Sequence, residues 1–431
     1  MANLLDQASI VLTPTAYDNG KVLCAKPSEP PYGDFDFSRN SAATRVNAQG
    51  LVENVQILSS NLVQNGDFSE EGVQEVSNGS FSQEGVELLS QPVNLVTDFT
   101  TNSGGVIVDA DTFTTSGGSL DGIKKSFLTV GKYYKLVIEG DTTSSGFTIG
   151  SLGNSGNEYG SGFGTHYFEC INSGLWIRQN TSGTTNITSF SIVEVGQDWT
   201  LGTGWSIGED KAICDGSGRI NPTNNSWLSG KTYKFDIEVS DRTAGYFRIQ
   251  NPAVSIYYVN NINSNGTYTY YINTIDANGF VIEAVGFDGS ITNISVKEVG
   301  QNWTLGGTAA IGDNLVNINS PSGENAEVYQ SSVLVIGRKY KLDCTLNKTS
   351  GDTQFVNGGT FILNNGSNVI QFTATDTRVY FKRGAGSVIS SITNISVIEI
   401  TDDTNLPRIN YEGFSYQDAL GSEEIVNGTF S

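Results

Sequence analysis

The chain has 431 residues, too many for one hydrophobic core and suited to three or four domains of ordinary size. Acidic residues outnumber basic ones 45 to 24, and the net charge of −21 opposes both phosphate backbones and anionic lipid, so no nucleic-acid partner and no membrane insertion are expected. Aromatics at 10% can anchor several small cores, 50 glycines mark frequent turns, and hardly any stretch spaces apolar residues at a helical period, so the composition points to an all-β chain.

The start, Met1-Ala-Asn-Leu-Leu-Asp6, lacks a basic n-region and its apolar run breaks at Asp6-Gln7, unlike a secretory signal. The expectation is a protein made and kept in a cytoplasm until something releases it. Residues 1–62 form a first segment with the loop-like Lys26-Pro-Ser-Glu-Pro-Pro-Tyr-Gly33. Residues 63–93 read as a linker holding a tandem echo, Asn65-Gly-Asp-Phe-Ser-Glu-Glu-Gly-Val73 and Asn78-Gly-Ser-Phe-Ser-Gln-Glu-Gly-Val86, at an offset of 13.

Three repeats follow, over 94–197, 198–301 and 302–402. They close alike, on Ile187-Thr-Ser-Phe-Ser-Ile-Val-Glu-Val195, Ile291-Thr-Asn-Ile-Ser-Val-Lys-Glu-Val299 and Ile392-Thr-Asn-Ile-Ser-Val-Ile-Glu-Ile400, at offsets of 104 and 101. A second marker recurs inside each: Gly131-Lys-Tyr-Tyr-Lys-Leu136, Gly230-Lys-Thr-Tyr-Lys-Phe235 and Gly337-Arg-Lys-Tyr-Lys-Leu342. Two markers in one order at one period define tandem domains of sandwich size. In the middle copy Tyr233, Phe235, Ile237 and Val239 alternate with polar residues, the period of a sheet packed on one face. Asn265-Gly266 and Asn278-Gly279 supply hairpin turns before further alternating runs. The expected fold is a series of tandem antiparallel β-sandwich, jelly-roll-like repeats, each folding on its own. Residues 403–431 close the chain with Asn427-Gly-Thr-Phe-Ser431, the echo phrase again, which leads one to expect a longer chain.

The segments Ala8-Ser-Ile-Val-Leu-Thr-Pro-Thr-Ala-Tyr17 and Gly33-Asp-Phe-Asp-Phe-Ser-Arg-Asn-Ser-Ala-Ala-Thr-Arg-Val-Asn-Ala-Gln-Gly-Leu-Val-Glu53 resemble the start of virion structural and fibre-like proteins of tailed phages, the crAss-like group and others infecting Bacteroidetes among them. Asn405-Leu-Pro-Arg-Ile-Asn-Tyr-Glu-Gly413 looks like the continuation of that phrase. The resemblance implies a small β platform built from 1–62 and 403–431, with the repeats inserted between its halves. It also implies a virion location after assembly in the host cytoplasm, other virion proteins as partners, and a homo-oligomer. The repeats separately resemble galactose-binding-like carbohydrate-binding sandwiches, through Asn-Gly-x-Phe-Ser, Trp-Thr-Leu-Gly and Ile-Thr-Asn-Ile-Ser-Val. The opening phrase is displaced, so the second and third units start directly at Trp199 and Trp303.

Chemistry is sparse. A nucleophilic triad needs a base, and the lone histidine, His166, sits at a strand start. Glutamates stand at wet strand positions or in runs, so no catalytic residue is assigned. Cys24, Cys170, Cys214 and Cys344 lie far apart with no CxxC and lay out no disulfide framework, and Cys344 continues an inward alternation. Asp109-Ala-Asp111 and Asp402-Asp403 lack the spacing of a calcium loop, so neither metal nor cofactor is expected. Aromatics remain. Trp176, Trp205, Trp227, Tyr257 and Tyr258 are possible sugar platforms, whereas the recurring Trp199 and Trp303 read as packing residues. Glycan binding is expected at Trp227, Tyr257 and Tyr258 of the middle repeat, and the net charge favours a neutral or cationic host glycan. The leading expectation is a non-enzymatic virion protein in head decoration, head fibre or tail fibre. A bacterial surface adhesin is the alternative, and a glycan-cleaving enzyme ranks last.

Overall fold

The computed structural model describes residues 44–46, 52–54, 57–152, 157–254 and 256–401. The described residues are all-β, built of antiparallel sheets, with one four-residue helix among them at Leu95–Asp98 capped by the Asn94 side chain. The chain divides into two compact units, one comprising residues 1–68 and 302–431 and the other 69–301.

In the second unit, the first repeat stacks two sheets. One runs in the order Gly164–Glu169, Tyr133–Thr142, Gly183–Val195, Thr112–Thr115, Gly105–Ile107. The other runs Glu158–Ser161, Phe147–Ser151, Gly174–Gln179, Gly122–Ser126, Thr100–Asn102. Tyr134, Leu136 and Ile138 from the one layer meet Phe147, Ile149, Leu175 and Ile177 from the other in a common core. The middle repeat has the same plan with fewer breaks. Thr232–Gln250 and Val281–Val299 are continuous strands of 19 residues, interrupted by register shifts between Ser240 and Tyr246. Phe235 and Ile237 before the shifts, and Phe247 and Ile249 after them, are buried in one core. The alternation read from sequence is therefore that of a sheet with one buried face.

The first unit holds the third repeat. Its larger sheet runs Ala310–Gly312, Leu315–Ser320, Val388–Thr401, Lys339–Ser350, Gly366–Thr373. Its smaller sheet runs Thr304–Gly307, Ala326–Gln330, Val379–Arg383, Thr353–Val356, Thr360–Ile362.

Residues 63–93 are not a plain linker. Each repeat is completed by a short strand from the front of the chain, and the order is inverted. Glu84–Glu87 pairs with Gly183–Val195 of the first repeat, Glu71–Gln74 with Val281–Val299 of the middle one, and Ile57–Leu58 with Val388–Thr401 of the third. Glu87, Gln74 and Asn61 accept a hydrogen bond from the amides of Ile192, Val296 and Val397 through their side-chain oxygens. Leu89, Val76 and Val63, two residues after each of them, are buried.

The two Asn-Gly-x-Phe-Ser phrases are the missing openings of the middle and third repeats. Trp303 donates its indole N–H to the Asn65 carbonyl and Trp199 donates to that of Asn78, both at 2.9 Å. Phe68 packs on Trp303 with ring centroids 5.2 Å apart, and Phe81 on Trp199 at 4.9 Å. Gly66 and Gly79 have to be glycine, because a Cβ there would meet the carbonyl oxygens of Ile395 and Ile294 at about 2 Å. The openings expected to be displaced are displaced in sequence alone. The first repeat is thus inserted into the middle one, and both are inserted into the third.

Within 1–62, Thr44–Val46 and Val52–Asn54 form a two-stranded sheet. The platform expected from 1–62 and 403–431 otherwise lies outside the described residues, apart from residues 57–62, which join the third repeat.

Candidate ligand-binding faces

On the middle and third repeats the inward residues of one layer alternate with residues on its outer, solvent-facing side, whereas on the first repeat Phe147–Ser151 is buried throughout. On the middle repeat the inward set includes Ile220, Ile282, Phe247 and Ile249, each essentially unexposed. The intervening residues line up across four strands. Arg219 and Arg248 are both direct cross-strand neighbours of Glu283, and Tyr257 is the neighbour of Gln250 at the end of the row.

Glu283 takes both guanidinium groups. Arg219 donates to its Oε1 from Nε at 3.2 Å and from Nη2 at 3.0 Å, and Arg248 donates to Oε2 from Nε at 2.5 Å. Partial burial alone would raise the Glu283 carboxyl, but the two arginines outweigh it and hold it below the ordinary range. The Arg248 guanidinium lies over the Tyr257 ring, 4.3 Å from its centroid, in a cation–π stack. Tyr257 is 42% exposed.

The third repeat carries a related cluster on its smaller sheet. Val328 and Phe381 point inward, leaving Glu327, Tyr329, Tyr380 and Lys382 outside. Tyr329 and Tyr380 are cross-strand partners in an edge-on contact at 6.1 Å. Arg378 lies 5.4 Å from one ring and 5.0 Å from the other, anchored by Asp376 at 2.7 Å. Tyr380 donates to Glu327 at 2.5 Å, and burial together with that carboxylate pushes its phenol up to about 12. On the first repeat, Arg178 sits 5.5 Å from the Trp176 ring and reaches Glu158 at 2.9 Å.

Of the residues expected to bind sugar, the structure separates Tyr257 from the rest. Trp227 is a correction. It is 3% exposed, stacked on Tyr233 at 4.8 Å and tilted against Phe280 at 5.4 Å, so no sugar reaches its face. Tyr258 packs on Trp227 at 5.8 Å, and its hydroxyl accepts from Asn251 at 3.0 Å, which makes it the rim of the core. Adjacent strand residues face opposite sides, and here Tyr257 is the one left outside. Trp176 and Trp205 are likewise covered, at 4% and 3% exposure, and neither indole N–H has a partner among the described residues. Trp199 and Trp303 are packing residues.

Sequence reasoning missed the arginines and the pair Tyr329 and Tyr380. The signal was present as Glu327-Val-Tyr329 and Tyr380-Phe-Lys382, charged and aromatic residues alternating about inward apolar ones.

His166 directs Nε2 to the Gly162 carbonyl at 3.0 Å, a strand-end contact. Cys170, Cys214 and Cys344 are free and buried. Among the described residues no three His, Cys, Asp or Glu side chains gather as a metal site. No helix among them is long and apolar enough to cross a membrane.

Fold and faces together define an all-β chain of antiparallel sandwich modules with aromatic and charged clusters on their smaller sheets. No family model and no curated protein sequence matches the chain. Among solved structures it is similar to the N-terminal CBM22-1–CBM22-2 tandem domain of Xyn10C from Paenibacillus barcinonensis, at 10% identity and a TM-score of 0.18, over 47% of this chain and 94% of that one.

Proposed function

We propose that this chain is a non-enzymatic virion component of a tailed phage that displays sandwich modules to host surface glycans. One observation carries the binding half of this reading: on the middle and third modules an outer sheet face joins a part-exposed aromatic ring to an arginine and a carboxylate. A flat ring offers its surface to the C–H face of a sugar, and fixed donors and acceptors beside it meet the hydroxyls. A shallow face of this kind supports affinity on the millimolar scale, roughly −4 kcal/mol. Several modules per chain and several chains per particle raise it by avidity.

The virion half rests on the phrases at 8–17, 33–53 and 405–413. The nested modules suit such a role, since insertions are tolerated where their ends lie close. The test is a glycan array probed with the multimerised chain, beside immunogold labelling of purified particles. Retained glycans without released sugar and gold on the particle are the expected results. An array with no binding sinks the glycan reading, and unlabelled particles sink the virion reading.

A further inference from the structure

Resting on that reading, the middle module assigns a narrower ligand class. The whole chain is strongly acidic, and its net charge alone points to neutral or cationic glycans. The face around Tyr257 departs from that average. Its row of side chains holds two arginines and one glutamate, a local surplus of one positive charge. Charges farther off than about 8 Å are largely screened at physiological ionic strength, so the nearest groups decide what the face attracts.

The hydrogen-bond inventory points the same way. A guanidinium has five N–H donors. Arg219 spends Nε and one Nη2 donor on Glu283, and Arg248 spends Nε. The Nη1 group of Arg219 and both Nη groups of Arg248 make no hydrogen bond to the protein among the described residues. Arg219 keeps more than half of its side chain exposed, at 55%. Glu283 holds the two forks on one carboxylate from neighbouring strands, so their remaining donors lie on one surface. Guanidinium forks match carboxylates in bidentate geometry better than they match hydroxyls. The Tyr257 ring stacks on Arg248 and carries the apolar contact beside them.

We infer that the middle module binds saccharides bearing a carboxylate, the uronic-acid class, with Arg219 and Arg248 on the carboxylate and Tyr257 against the sugar ring. The third module differs in kind, because Arg378 is held by Asp376 and Tyr380 by Glu327, so its face sets two acids against Arg378 and Lys382 and has no positive surplus. The acidic preference therefore belongs to the middle module.

The test compares a short oligogalacturonate with its fully methyl-esterified counterpart, identical in ring geometry and lacking the charge, by titration calorimetry on the full chain. The acid is expected to bind about tenfold more tightly than the ester, the size of one charge-assisted contact. Arg219→Gln and Arg248→Gln are each expected to erase that difference, and Tyr257→Ala to weaken both ligands alike. Arg219→Lys, which retains charge but not the fork, guards against a misfolded Arg248 variant and should leave an intermediate preference. Equal affinity for acid and ester overturns the carboxylate assignment and leaves glycan binding standing. Acid binding that survives both arginine variants overturns the site. Failure of both probes overturns this inference, while retention of neutral sugars on the array would still uphold the broader reading.

Discussion

The hydroxyl of Tyr233 accepts a hydrogen bond from the backbone amide of Leu228, five residues earlier, at 2.9 Å. Tyr134 does the same for Thr129 and Tyr340 for Val335, each at 2.9 Å. The tyrosine of the marker, Gly-Lys-x-Tyr in two copies and Gly-Arg-Lys-Tyr in the third, thus ties the segment before each marker strand to the core, and the marker recurs because this tie does. Replacing Tyr233 or Tyr340 by phenylalanine keeps the ring and removes the acceptor. Each variant should lose about 1 kcal/mol of stability in urea unfolding, since a part-buried amide loses its partner. No change in the midpoint would show that the tie contributes nothing.

The opening segments should be required by their modules. A fragment of residues 198–301 lacks Phe81 and the strand Glu71–Gln74, which leaves Trp199 with a vacant ring contact and an unpaired indole N–H. We expect this fragment to melt well below one in which residues 69–82 are joined to it by a short linker. A peptide of residues 69–82 added in trans should raise its midpoint. In the full chain, Phe81→Ala should cost about 3 to 5 kcal/mol. Equal melting of the two fragments would argue that the segment is ornamental.

Trp227 and Tyr257 should part company under mutation. Trp227→Ala removes a core ring and should destabilise the middle module by about 3 to 5 kcal/mol. Tyr257→Ala should leave stability within about 0.5 kcal/mol while lowering glycan retention on the array. Loss of retention only when the module unfolds would place both residues in a purely structural role.

The buried thiols give a pH signature. Burial pushes Cys344 up to about 12 and Cys214 to about 11 from an ordinary value of 9.0, so the fold favours the neutral thiol. Their contribution to stability is complete below pH 9 and is lost as the pH climbs through 11 to 12. Cys344→Ala should flatten the alkaline limb of the stability profile relative to the parent chain. Native protein should resist a thiol reagent at pH 8 that labels these cysteines once urea unfolds it, and rapid native labelling of Cys344 would contradict the burial.

Period-two runs such as Tyr233-Lys-Phe-Asp-Ile-Glu-Val239 report directly which face of a strand is wet, so the sandwich class and the core were legible. The repeat markers were legible for the same reason, each being a local device with a local cause. Strand pairing between distant segments leaves no such trace. Asn61, Gln74 and Glu87 stand 13 apart and do one job, yet they are three different residue types, so the echo showed two copies where the structure uses three. Trp227 misled because it stands in an irregular segment with no alternation around it, and burial there comes from Tyr233 and Phe280. The arginines of the binding face were passed over because a net charge of −21 averages away a local surplus.

The inverted pairing of the front strands sets a timetable. A ribosome makes the chain from its N-terminus at about 5 to 20 residues per second. Glu87 waits for Ile192 over 105 positions, Gln74 for Val296 over 222, and Asn61 for Val397 over 336. The module opened first is therefore closed last, after roughly 20 to 70 seconds of further synthesis. During that interval Val63 and Phe68 have no core to enter, while the two inner modules finish in turn. Translation halted near residue 300 would release two completed sandwiches trailing the unpaired first strand of a third.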